Sequence, residues 1–167
     1  MGVKIKDVDT SRLTKRFLVM QRRASDFRPV FRWVQQALQD AHRMNFATNG
    51  LTGGAPWAPH DPEYAAWRLE NGYGGKGMLV RDGTLKFSLT NMNSARGVSD
   101  IGRRTATFGT RVPFAKYHQT GTRFMPQRKI IFVNSVMALR TANVVSEYIM
   151  HGTVGVLYSD AMKGFSI

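Results

Sequence analysis

Four histidines, one glycine-rich turn beside a lysine, and a long succession of arginines are the residues of this 167-residue chain whose chemistry asks for an explanation. His42, His60, His118 and His151 are scattered, without the i, i+4 spacing that puts two imidazoles on one helical face for a metal. Cysteine is absent, so neither a disulfide nor a thiolate metal site can form. No metal is expected. Gly72-Tyr-Gly-Gly-Lys-Gly77 resembles a phosphate-binding loop in composition, but Gly77 stands where Ser or Thr would reach a metal and Glu70 stands where the leading glycine belongs. A flexible turn is the expectation there. No Ser/His/Asp set, carboxylate pair or activated nucleophile stands out, so the sequence predicts a protein without enzymatic activity or cofactor. His118 is expected to be packed, with a backbone hydrogen bond.

The arginines are a different matter, because the net charge of +13 is large for this length and asks for a partner. Residues 76 to 130 carry eleven Lys/Arg against Asp82 and Asp100, a net of +9, while residues 131 to 167 balance Arg140 and Lys163 against Glu147 and Asp160. The middle of the chain is therefore the basic surface. It is either a solvated face or a contact for a polyanion or an acidic protein. Arg96, Arg103 and Arg104 are its candidate partner residues.

With 43% hydrophobic residues, the chain can bury one real core, and a single domain over residues 1–152 is expected, followed by a tail at 153–167. No charged-then-apolar opening and no membrane-length apolar run occurs, which predicts a soluble chain without a signal peptide and without a membrane partner. Val3 to Asp9 alternates as a short strand, and Thr10 caps a helix bearing Leu13, Phe17 and Met20. Ser25 or Asp26 caps the longest helix, which carries Pro29 in its first turn, Phe27, Val30, Phe31, Val34, Leu38 and Ala41 as a stripe, and ends near Thr48. Trp33 is read as the edge of a wide apolar face. Residues 49–61 are a loop plugged by Trp57, and Asp61-Pro62-Glu63 starts a helix ending before Gly72. Leu85, Phe87 and Leu89 alternate with Lys86, Ser88 and Thr90, and residues 103–112 repeat the pattern, predicting two antiparallel strands around a basic loop from Asn91 to Ile101. Phe87, Phe108 and Phe124 are assigned to the inward side.

The densest local signals run from Phe108 to Phe132. Strand alternation ends at Val112, Pro113 suits a first helical position, Gly121 stops the helix in a positive-φ turn, and Phe114, Tyr117 and His118 share a face expected to pack on the sheet. Met125-Pro126-Gln127-Arg128 then leads into Ile130-Ile131-Phe132-Val133, a predicted buried strand. Asn134 or Thr141 caps the last helix, which stops at Gly152, and residues 153–158 read as another strand whose Val154, Val156 and Tyr158 share one side. Helices and strands do not interleave, so the expected fold is α+β, a mainly antiparallel sheet packed against a long helix with short flanking helices.

An aromatic and Ala before His118-Gln119, then Gly121, then Pro126-x-Arg128 and apolar residues resembles the virion-morphogenesis proteins of tailed phages, which act in tail completion and the neck. Asn45-Phe46 followed by Pro56-Trp57-x-Pro59, and Met78-Leu79-Val80-x-Asp82-Gly83-x-Leu85, agree in order and spacing from about residue 3 to about 150. Asp82 departs from the small hydroxyl residue expected before the glycine. Trp57, Pro113, His118, Gly121, Pro126 and Arg128 are the residues that carry the fold-defining motif. The resemblance implies a virion protein at the head–tail junction, made in the host cytoplasm. It implies a ring of copies, six in number, joining the tail tube to the head-closure proteins, with neighbouring neck and tail-tube proteins as partners and packaged DNA within reach. A tail terminator that caps tube polymerisation, and a basic nucleic-acid-binding protein, are the alternatives. The C-terminal strand, with Val154, Val156 and Tyr158, is expected at the subunit interface, or else in its own subunit's sheet.

Overall fold

A computed structural model describes residues 10–154, so the expected strand at Val3–Asp9 and most of the one at 153–158, including Val156 and Tyr158, lie outside the described residues. The described residues form an α+β fold of six α-helices and one antiparallel hairpin. The helices are α1 (Ser11–Ala24), α2 (Arg28–Ala47), α3 (Pro62–Glu70), α4 (Thr84–Thr90), α5 (Ala115–Thr120) and α6 (Ser135–His151). The strands are β1 (Gly97–Ile101) and β2 (Ala106–Thr110), paired so that Ser99 faces Phe108.

Helix α2 is the axis, and it serves two cores because apolar residues occupy more than one of its faces. Near its start Val30 and Trp33 pack with Val144 of α6, with Phe27, Val34 and Val154 around them. Trp33 is buried, as a wide apolar face requires. At its end Phe46 joins Trp57, Leu85, Leu89, Val112, Ala115 and Ile130. Burying each such large side chain stabilises the fold by about 1.5 to 3 kcal/mol before entropy is counted. Helix ends fall where local chemistry puts them: the Asp61 carboxylate accepts from Glu63 N and Tyr64 N at 3.0 and 3.4 Å, and the Asn134 side chain accepts from Met137 N at 2.9 Å. Gly152, at φ 76°, ends α6.

Three expected elements differ. Residues 84–90 form α4 rather than a strand, because the buried positions Leu85, Ser88 and Leu89 follow the helical period while Phe87 points out, 57% exposed. Asp82 starts this helix, its carboxylate accepting from Thr84 N at 3.0 Å, which explains why an acid serves at that position. The hairpin is consequently shorter, and β1 lies inside the stretch expected to be its loop. Gly97 has to be glycine here, since a Cβ would stand 2.3 Å from the Met92 carbonyl oxygen.

Residues 130–133 do not pair as a strand, because side chains take their backbone groups instead. Gln119 Oε1 accepts from Ile130 N and Ile131 N at 3.0 and 2.9 Å, and Gln119 Nε2 donates to Ile131 O at 2.8 Å. Just before them, Asn45 Nδ2 and Trp57 Nε1 both donate to Lys129 O, at 3.2 and 2.9 Å. Trp57 is thus the expected plug of its loop, wedged edge-on to Phe46 at 5.3 Å. Helix α5 begins at Ala115, not at Pro113, and its Phe114 and Tyr117 are 43% and 46% exposed rather than packed on the hairpin. Gly121 ends α5 at φ 75°, as the turn requires.

Candidate functional site

Phe114, Tyr117 and His118 line an open cleft of about 750 Å³ between α3, the loop before α4, α5 and the turn at 122–126. Its walls are largely apolar and aromatic, Tyr64, Leu79 and Met125 among them, with Pro126 exposed. Phe124 stands on the rim at 91% exposure.

Cations lie at its base. Arg128 is buried, its Nε donating to Ala58 O at 2.9 Å and its Nη2 to Pro59 O at 2.8 Å, while Nη1 has no hydrogen bond among the described residues. Its own N–H donates to His118 O at 2.7 Å, which ties the turn after Gly121 back to α5. Arg68, also buried, donates through Nη2 to the carbonyls of Tyr73, Lys76, Gly77 and Val80 at 3.0 to 3.3 Å. The glycine-rich turn therefore points carbonyl oxygens inward at a cation, the reverse of the converging N–H groups that hold a phosphate.

Neither buried arginine has an ion-pair partner among the described residues. The acids on the cleft, Asp61 and Asp82, are spent on the starts of α3 and α4. Two imidazoles complete the base. His60 Nε2 and His118 Nδ1 are buried without a hydrogen-bond partner, so the backbone bond expected for the His118 side chain is not made. Burial, then the Arg128 guanidinium, holds His118 below the ordinary histidine range, and burial with Arg68 and Arg128 does the same for His60. Both rings are neutral at neutral pH and have an unsatisfied polar atom. This grouping escaped sequence reasoning because the stretch that holds His60 and Arg68 is far along the chain from Arg128; the signal was the absence of acids near Arg128.

The basic hairpin residues do not form one cluster. Arg103 and Arg104 occupy the exposed turn between β1 and β2, whereas Arg96 precedes β1 at the hairpin's other end, beside Arg111, whose N–H donates to Arg96 O at 2.8 Å. The turn is fastened to the start of α2 by Phe27 N donating to Arg103 O at 2.7 Å. That brings Arg22 and Arg28 to the same end as Arg103 and Arg104, with Asp26 facing Arg28 in an ion pair at 2.5 Å. The Arg28 guanidinium lowers the Asp26 carboxyl to about 2. Phe87 and Phe124 point outward rather than inward, and Phe108 is half-buried.

A third surface belongs to α1. It has no buried residue, yet Leu13, Phe17 and Leu18 are 48%, 65% and 58% exposed. Its C-terminal end is tied to α6, with Arg23 Nη1 donating to Ile149 O and Met150 O at 3.1 and 2.9 Å. Among the described residues no group of histidine and acidic side chains is placed to hold a metal ion, and no helix is long and apolar enough to cross a membrane.

No solved structure matches the chain. "Mu-like prophage FluMu G protein 1" of Haemophilus influenzae is 28% identical over 124 residues, covering 74% of this chain and 79% of that protein. The phage virion morphogenesis family matches residues 8–147, a span that takes in the cleft, the hairpin and all of α1 through α5. On that match, the chain belongs to the phage virion morphogenesis family.

Proposed function

We propose that this virion assembly protein works as a tail-completion subunit in the phage neck, where its copies form a ring between the tail tube and the head-closure proteins. The observation that carries the reading is α1, a helix with a clear apolar side and no buried residue, whose Leu13, Phe17 and Leu18 stand exposed among the described residues. Exposed apolar surface of that kind marks a protein contact, and a family devoted to virion morphogenesis supplies the contact's purpose. Repeating one heterologous contact gives a closed ring where its rotation closes on itself. Capping of tube polymerisation, as a tail terminator, is the alternative role for such a ring.

Removing the gene from a phage that carries it tests the reading. Filled heads and separate tails should accumulate, and supplying the chain should join them; normal joined particles in its absence would contradict it. A second reading, contact with packaged DNA, is favoured by the tip that gathers Arg22, Arg28, Arg103 and Arg104. It requires that duplex binding weaken steeply as salt rises, through counterion release.

A further inference from the structure

We propose that the cleft between α3 and α5 is the docking site for the C-terminal tail of a neighbouring copy of this chain, with Asp160 of that tail as the anion received by Arg128. The inference rests on the ring reading and names one of its contacts. The cleft requires a ligand of particular chemistry: it presents the free Nη1 of a buried Arg128 that has no acid partner, two buried imidazole nitrogens without partners, and apolar walls. An anion on an apolar stem satisfies all three. A duplex is too broad to enter a cleft of about 750 Å³ to reach Arg68 and Arg128, which are buried, although Arg81 lines it from an exposed position. A peptide carboxylate suits it.

Residues 155–167 carry such a group. Asp160 is the single acid there, preceded by Val156, Leu157 and Tyr158, apolar and aromatic residues that suit walls made by Tyr64, Leu79 and Met125. Arginine stays charged at neutral pH and pairs with a carboxylate through two parallel bonds where geometry allows.

Reach decides whose cleft is filled. The end of α6 sits at the start of α2, where Tyr148 Oη donates to Asp26 O at 2.9 Å, and Val154 packs with the core at that end. The cleft lies past the other end of α2, beyond Phe46 and Trp57, where Arg128 bonds Ala58 O. Twenty residues of helix separate the two ends, about 30 Å at 1.5 Å per residue. Six residues from Val154 to Asp160 extend to about 20 Å at most. A chain's own Asp160 falls short, so the neighbour's must serve, and each subunit both gives a tail and receives one, as a ring demands.

The test uses the full-length chain with a photo-cross-linking amino acid at position 158, prepared with and without heavy isotopes and mixed before irradiation. Its native mass is measured on the same samples. The expected result is heavy–light cross-links from position 158 to Tyr64, Tyr117 or Phe124, reduced about tenfold or more by Asp160→Lys in the donor and by Phe124→Glu in the receiver. Both substitutions leave the described fold alone, Phe124 being almost fully exposed, and circular dichroism confirms that. Cross-links confined to one chain, cross-links to the hairpin edge, or a yield indifferent to Asp160→Lys would each overturn the proposal. An oligomer without these links overturns this contact alone, whereas a chain that stays monomeric at every concentration overturns the ring as well.

Discussion

His42 shows how a single residue sets a condition on the whole fold. It is 1% exposed, edge-on to Phe132 at 5.7 Å, with no partner for Nδ1 among the described residues, and burial lowers it from 6.5 to about 4. The unfolded chain therefore binds the proton more readily than the folded one. Stability is full above pH 6.5 and is lost as the pH falls towards 4, by about 3 kcal/mol at the limit. Denaturant titrations at pH 7.5 and pH 4 should show a larger loss for the native chain than for His42→Leu, and equal losses would contradict the assignment. Gly121 is the other residue-scale constraint. At φ 75°, with a built Cβ 3.0 Å from Gln127 N, Gly121→Val should cost at least about 1 kcal/mol, read as a lowered melting temperature. Gly121 could be read directly from the sequence, because a glycine after a short helical face has one common use. His42 could not, since nothing in its neighbours along the chain says that the ring is sealed by Phe132.

Among the elements, α1, α2, α3 and α6 lie close to where the helical period puts them, with side-chain caps from Asp61 and Asn134 on α3 and α6 and none from Thr10 or Ser25 on α1 and α2, and α4 and residues 130–133 do not. Leu85-x-Phe87-x-Leu89 fits both periods over so short a run, and Asp82-Gly83 before it decided the matter through a helix-starting hydrogen bond. Ile130-Ile131-Phe132-Val133 has a strand's composition but spends its backbone on the side chains of Gln119, Asn45 and Trp57, a non-local arrangement that no window of sequence contains. Gln119 is consequently a structural residue despite its ordinary type. Gln119→Leu strands two N–H groups and a carbonyl, and at about 1 kcal/mol or more for each it should destabilise the chain by about 2 to 4 kcal/mol in denaturant titration. A loss under about 0.5 kcal/mol, the range of ordinary surface changes, would show that water replaces it.

At the scale of the molecule, three surfaces remain unmatched by the described residues: the exposed side of α1, the basic tip and the arginine-floored cleft. The tip was half legible, because the excess of arginine around residue 100 was plain while its union with Arg22 and Arg28 depended on Phe27 bonding Arg103. Exposed charges contribute little to folding and much to partner choice. Arg103→Glu with Arg104→Glu should therefore leave the melting temperature within about 2 °C, since surface changes alter stability by about 0.5 kcal/mol or less. The same pair should sharply reduce the yield of joined particles; normal yield would make the tip a solvated face. The most direct measurement of the central claim is an image reconstruction of the virion in which density for this chain is located. The expected result is a closed ring of copies at the head–tail junction with α1 of each subunit seated on its neighbour. Density elsewhere in the particle, or a mature virion without the chain, would contradict it.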